Sequence, residues 1–114
     1  MKTDRDDFAL PEGEREARIA KVIVDVIARY TGAAPYGGGC RAFYTSEEWQ
    51  ARGEAYAQGA ALVVCHDGGD AAHFFNLDYM NYEAHDLMVQ ALHQIGFYPD
   101  ACTGWYTAIY AEGS

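Results

Sequence analysis

The chain has 114 residues, half of them apolar, and a formal net charge of −9, which together predict one folded domain with its own core. No stretch reaches the ~20 consecutive apolar residues of a membrane span. The acidic balance also disfavours direct binding to nucleic acid, since phosphates are neutralised by Lys and Arg. The three cysteines are widely spaced and odd in number, so we expect no disulfide framework and a reducing, cytoplasmic setting.

Residues 1–10 are predicted to be a polar arm, followed by a single domain over residues 11–114. The first element of this domain is predicted to be a helix over 11–30, because apolar side chains from Ile19 to Tyr30 recur at intervals of three and four residues. The apolar stripe is wide, which indicates that this helix is buried under a sheet or a partner.

A strand, a helix and a second strand are predicted to follow. Residues 41–44 favour a short strand. Thr45 and Glu48 have the spacing of a capping box, so we expect a helix that begins after Thr45 and ends at Gly59. Residues 60–65 are an apolar run with the length of a central strand.

The segment before the third helix has the least regular pattern. Residues 71–79 favour at most a short edge strand, around 74–75. Beyond them, the apolar spacing over 82–95 predicts a third helix that is capped by either Asp78 or Asn81.

The C-terminal residues favour a β-hairpin. Strand-like residues over 97–102 and 105–111 flank a two-residue Thr-Gly turn, which would place Asp100 opposite Thr107. Pro99 cannot donate a ladder hydrogen bond, so the first strand of the hairpin is expected at a sheet edge.

This order of elements predicts an α+β (or α/β) fold. We expect a mixed sheet of about four strands, with a C-terminal β-hairpin and three helices packed mainly on one face. The connections through the second and third helices are expected to be right-handed parallel crossovers.

Charge is distributed unevenly along the chain. Residues 1–52 carry eight Lys and Arg side chains against nine carboxylates, a balance of −1, whereas residues 53–114 carry eight carboxylates and neither Lys nor Arg. Six of the nine tyrosines also follow Gly53. A surface of one sign attracts an oppositely charged partner, and tyrosine is enriched in protein interfaces.

These features favour a small, acidic, Tyr-rich protein-binding module that docks on a basic protein partner. Its carboxylates would stand in for nucleic-acid phosphates, so it would inhibit a nucleic-acid-binding protein, with fast and salt-sensitive association. Small accessory proteins of phages and plasmids, including those that block host defence, share this general composition. No convincing catalytic constellation is present, which disfavours an enzyme. The predicted contacts are Asp67, Asp70, Asp78, Tyr79, Tyr82, Glu83, Asp86 and Asp100.

The loop after the central strand supports a second hypothesis. His66, Asp67, Asp70 and His73 fall within eight residues, and imidazole and carboxylate groups are ligands of Zn²⁺ and Mn²⁺. A bound metal would activate water, which predicts a small metal-dependent hydrolase or a metal-binding protein. The spacing matches no zinc template, and a tight glycine turn accounts for the same residues. The first hypothesis needs no cofactor.

A third hypothesis is a homo-oligomer such as a homodimer, whose interface is the wide apolar helix and the hairpin. Neutralising Asp78, Glu83 and Asp86 would then be tolerated, whereas it would abolish partner binding under the first hypothesis. The first hypothesis also requires that the basic side chains of residues 1–52 do not fold onto the acidic half and cancel its field.

Overall fold

The computed structural model describes residues 8–33, 41–53, 57, 59–66 and 69–113. Its helices are α1 (Glu14–Thr31), α2 (Ser46–Ala51), α3 (Ala72–Phe75) and α4 (Tyr82–Gln94), and a 3-10 helix spans Leu77–Tyr79. Its strands are β1 (Phe43–Tyr44), β2 (Leu62–Cys65), β3 (Phe97–Ala101) and β4 (Tyr106–Ala111). None of the described helices is long and apolar enough to cross a membrane.

The four strands form one sheet in the order β1-β2-β4-β3, and every neighbouring pair is antiparallel. The α+β class, the four strands and the C-terminal hairpin are therefore confirmed, but the sheet is not mixed. The predicted parallel crossover through α2 is wrong, because α2 joins antiparallel strands. The strands that α4 joins, β2 and β3, do run parallel to each other, since both are antiparallel to β4, which lies between them. The chain passes from β1 through α2 to β2, which is the antiparallel neighbour of β1. The last strand, β4, lies between β2 and β3. The strand with Pro99, β3, lies at an edge of the sheet, as expected, and β2 and β4 are the two central strands.

The main core lies between the sheet and three helices. Leu62, Val64 and Ile109 project from this face of the sheet, and they pack in one cluster with buried side chains of α1, α3 and α4. The apolar stripe of α1, from Ile19 to Ile27, is buried in the same cluster. The stripe that we predicted as an oligomer interface is therefore part of the core of a single copy.

The core extends further toward the N-terminus than expected. Phe8 is buried, and its ring packs edge-on against Phe43 with 5.9 Å between ring centroids. Phe8, which lies within the predicted arm, therefore packs onto the core. Residues 1–7 of the predicted arm lie outside the described residues.

The other face of the sheet is covered by α2. The predicted capping box is present, since the Thr45 hydroxyl accepts from the Glu48 N–H at 3.2 Å and the Glu48 carboxylate accepts from the Thr45 N–H at 2.9 Å. Trp49 is fully buried and packs against Tyr44, with ring centroids 5.1 Å apart. The helix ends at Ala51, earlier than expected.

Residues 74–75 belong to α3 and not to an edge strand. Phe74 and Phe75 are both buried in the main core. Consecutive side chains of a strand point to opposite faces, so an edge strand would have separated these two rings, whereas a helical turn buries both.

The hairpin register differs from the prediction by one residue. Asp100 lies opposite Ala108 and not opposite Thr107. The loop is longer than two residues, because the N–H groups of Cys102 and Thr103 both donate to the Tyr106 carbonyl, each at 3.3 Å.

Candidate functional site

Two asparagine caps shape the segment between α3 and α4. The Asn76 side chain accepts a hydrogen bond from the Asp78 N–H at 3.0 Å and begins the 3-10 helix. The Asn81 side chain accepts from the Ala84 N–H at 3.2 Å, so Asn81, and not Asp78, is the cap of α4. Between the caps, Met80 adopts the left-handed conformation with φ 59°. This conformation costs a residue such as Met roughly 1–2 kcal/mol.

The same two asparagines tie the segment to distant parts of the domain. The Asn76 amide donates to the carbonyl of Gly104, in the hairpin loop, at 3.0 Å. The Tyr30 hydroxyl, near the end of α1, donates to the Asn81 side-chain oxygen at 3.5 Å. The segment is thus held by both the hairpin and α1.

Two histidines add further contacts at this end of the domain. His85 Nδ1 lies 2.9 Å from the Phe74 carbonyl, and because a carbonyl only accepts, Nδ1 donates this hydrogen bond. The His73 ring packs edge-on against Tyr79, with centroids 4.8 Å apart. A segment fixed in this way loses little conformational entropy when it binds a partner.

Seven exposed side chains follow one another along this segment and the first turns of α4. Met80 is 71% exposed and Tyr82 is 61% exposed, which is unusual for large side chains with so much apolar surface. An exposed apolar patch that is rimmed by polar groups marks an interaction site. We call this surface the acidic turn, and it consists of Leu77, Asp78, Tyr79, Met80, Tyr82, Glu83 and Asp86.

The described Lys and Arg side chains leave the carboxylates of the acidic turn without an ion pair. The described ion pairs of arginine lie within the first half of the chain, between Arg15 and Glu16 at 3.0 Å and between Arg41 and Glu48 at 2.7 Å. The basic half therefore does not neutralise the acidic turn by direct contact within the part of the chain that the structure describes.

The remaining predicted contacts lie elsewhere. Asp100 is exposed on β3 and is paired with Ala108, which places it on the face of the sheet that carries Trp49 and away from α4. Asp70 is half-buried in the turn before α3, and Asp67 lies outside the described residues. The structure thus brings five of the eight predicted contacts into the acidic turn, namely Asp78, Tyr79, Tyr82, Glu83 and Asp86.

The predicted metal ligands are placed in different environments. His66 is buried, with Nε2 2.9 Å from the Thr107 hydroxyl and its ring stacked on Phe75. It points into the main core because the alternation of β2 continues past Cys65. His73, in contrast, is exposed. Among the described residues no three His, Cys, Asp or Glu side chains are grouped to hold a metal ion.

The edge of the sheet near Asp100 carries a thiol and a phenol that are not activated. Burial raises the pKa of the Cys102 thiol, and the Asp100 carboxylate raises it further. Burial likewise raises the pKa of Tyr110. A cysteine nucleophile needs a lowered pKa, so Cys102 is a neutral, structural thiol at neutral pH.

The sequence patterns did not identify the apolar part of the site. Leu77 and Met80, which are 49% and 71% exposed, belong to no periodic stripe. The available signal was the presence of large apolar residues inside an irregular, polar segment, where no periodicity assigns them to a core.

Comparison of the chain with protein-family models, with curated proteins and with solved structures found no match. Its function is therefore inferred from the geometry and the charge of the acidic turn.

Proposed function

We propose that this protein is a non-catalytic, cytoplasmic binding module whose acidic turn docks on the basic surface of a nucleic-acid-binding protein and inhibits it. One observation carries this proposal. Exposed Tyr79, Met80 and Tyr82 are flanked along the chain by the carboxylates of Asp78, Glu83 and Asp86, which pair with no described Lys or Arg.

The chemistry of the surface favours a protein as the partner. Tyr and Met are enriched in protein interfaces, and Tyr is among the few residue types that supply most of the binding energy. The carboxylates around them repel phosphates and anionic lipids, so nucleic acid and acidic membranes are unsuitable ligands. A Lys- and Arg-rich protein surface would be complementary to both the carboxylates and the aromatic and apolar side chains of the acidic turn.

The same chemistry supports competition with nucleic acid. Proteins that bind single strands offer cations to phosphates and often aromatic rings to bases. The carboxylates of the acidic turn would pair with the cationic side chains of such a protein, and Tyr79 and Tyr82 would stack on its aromatic rings. A phage or plasmid accessory protein that blocks a host defence factor would act in this way, and this is the role we propose.

The test is affinity capture from a bacterial lysate on the immobilised protein, with captured proteins identified by mass spectrometry. Capture is repeated at low and high salt and with duplex DNA as a competitor. The test variant is D78N/E83Q/D86N. The control variant is E12Q/D25N/E47Q, which removes the same amount of charge from exposed positions outside the acidic turn.

We expect one basic nucleic-acid-binding protein to be retained in stoichiometric amount by the wild type and by the control, and to be released by salt and by DNA. The test variant should lose it. With that partner purified, the loss should amount to roughly a 10- to 100-fold rise in Kd. Capture of nothing specific, or equal capture by both variants, would contradict the proposal.

A further inference from the structure

A groove of about 450 Å³ lies between α1 and α4. Its lining combines the apolar side chains of Val26, Tyr30, Leu87 and Ala91 with the polar side chains of Arg29 and Gln90. Tyr30 and Leu87 remain 39% and 44% exposed. The groove therefore offers apolar surface that the domain itself does not cover.

The two helices run antiparallel, and this determines which charged side chains lie at the same end of the groove. The Tyr30 hydroxyl reaches Asn81 at the start of α4, whereas Arg18, near the start of α1, donates to the Ile95 carbonyl beyond the end of α4. Arg29 precedes Tyr30 and thus lies beside the first half of α4.

A carboxylate lies at the same end. Glu83 is exposed and precedes Leu87 by four residues, so the two side chains share one face of α4. Gln90 continues this row three residues later and lines the groove. Arg29 and Glu83 therefore flank the same end of one apolar surface, and neither forms an ion pair with a described residue.

A surface that carries both signs and exposed apolar groups is complementary to itself. Under a two-fold axis, each residue that contacts a second residue of the partner is matched by the reciprocal contact. Contact through the carboxylates of the acidic turn alone would place like charges together and is unfavourable. A two-fold contact through the groove, in contrast, would bring Arg29 of one copy to Glu83 of the other, which lies one helical turn before Leu87 in the groove lining.

We propose that a second copy of this chain covers the groove in a two-fold symmetric dimer. Arg29 of each copy pairs with Glu83 of the other, and Tyr30 and Leu87 pack across the axis. This dimer does not depend on the proposed partner, because Arg29 is not part of the acidic turn. The dimer interface shares Glu83 with the acidic turn, so dimer formation opposes docking of the basic partner.

Sedimentation velocity of charge-reversal variants tests the dimer. Each of R29E and E83R places two like-charged pairs across the axis, so we expect the dimer Kd to rise about a hundredfold. An equimolar mixture of the two variants restores opposite charges at both contacts, and so does the double variant R29E/E83R. Both should dimerise again. The control is K21E, which reverses an exposed charge on α1 outside the groove and should dimerise like the wild type.

Three results would overturn the dimer: a wild type that stays monomeric up to about 1 mM, the weak end of specific association; single reversals that dimerise normally; or a double variant that is not restored. Far-UV circular dichroism confirms that each variant is folded. The capture experiment is independent, because R29E leaves the carboxylates of the acidic turn in place and should still retain the basic partner.

Discussion

Two helices of this domain, α2 and α4, each begin with a polar cap, with aromatic side chains and with carboxylates in or near the first turn. At α2 these groups are Thr45, Trp49 and Glu48. Arg41 holds the Glu48 carboxylate at 2.7 Å, Arg52 lies 4.5 Å from the Trp49 ring centroid, and Trp49 is fully buried. The Glu48 carboxylate and the Trp49 ring at the start of α2 are therefore both engaged within the fold.

The start of α4 carries similar groups that the described part of the fold leaves in solvent. Tyr82 and Glu83 are exposed, and no described Lys or Arg pairs with Glu83. The difference between the two helix starts shows that a count of carboxylates and aromatics does not identify a binding surface. What distinguishes the starts is whether a cation pairs with the carboxylate and whether the core covers the aromatic ring.

The largest difference in stability between the two helix starts is expected from their aromatic side chains. Trp49→Ala removes a fully buried ring from the cluster on the second face of the sheet and should lower the free energy of unfolding by roughly 3–5 kcal/mol. Tyr82→Ala, at the start of α4, should change it by less than about 0.5 kcal/mol. Urea unfolding measures both. Equal losses would mean that Tyr82 is a structural residue.

The caps, in contrast, should contribute alike at the two helix starts. Thr45→Ala and Asn81→Ala each remove a side-chain acceptor from a helix N-terminus and should each cost about 1 kcal/mol in urea unfolding. If Asn81→Ala left the free energy of unfolding unchanged, the Asn81 cap would not be holding the acidic turn in the described geometry.

Met80 tests whether the acidic turn stores strain that α2 lacks. Met80→Gly removes the left-handed strain and an exposed side chain, so the free energy of unfolding should stay equal or rise by at most ~1 kcal/mol. Differential scanning calorimetry of the variant measures this. A clear loss of stability would show that the Met80 side chain packs onto the domain.

The pH dependence of stability tests the role of Glu48 at the start of α2. Its pKa is lowered below 4.5, first by the side-chain hydrogen bond with Arg41 and then by the Thr45 backbone N–H. The ionised carboxylate therefore stabilises the fold above the unfolded-state pKa, and this contribution is lost as the pH falls through the lowered folded-state pKa.

The variant E48Q isolates this contribution. At neutral pH its free energy of unfolding should be lower than that of the wild type by less than about 1 kcal/mol, because the pair is partly exposed. The difference should disappear below the lowered pKa. Urea unfolding across this range measures it, and a difference that stays constant with pH would contradict the assignment.

The smallest effect on stability is expected from the acidic turn itself. The variant D78N/E83Q/D86N removes carboxylates that pair with no described Lys or Arg, so the free energy of unfolding should change by no more than ~0.5 kcal/mol. Thermal unfolding of the variant checks this. A large loss would mean that these carboxylates hold the fold together, and the loss of partner binding would then have a structural explanation.

Features that depend on neighbours in sequence could be predicted, and features that depend on distant residues could not. The capping box of Thr45 and Glu48 and the buried stripe of α1 are set by spacing within one helix, and both are present. The burial of Phe8 and the position of β4 between β2 and β3 depend on tertiary packing. Local patterns carry no signal for either.

The same limit applies to the candidate site. Asp78, Glu83 and Asp86 could be grouped from the sequence because they lie within nine residues of each other. Asp100 could not be separated from them, because its face depends on the hairpin register, which the longer loop shifts by one residue. The contact of the His66 side chain with Thr107 in the core could likewise not be predicted, because Thr107 lies on β4 and the position of β4 depends on tertiary packing.

Hydrogen–deuterium exchange of the complex with the captured basic partner tests the central claim most directly, since it reports on both helix starts in one experiment. We expect protection on binding at Leu77 to Leu87, with no change at Thr45 to Ala51. Protection at α2, with unchanged exchange at the acidic turn, would contradict the account.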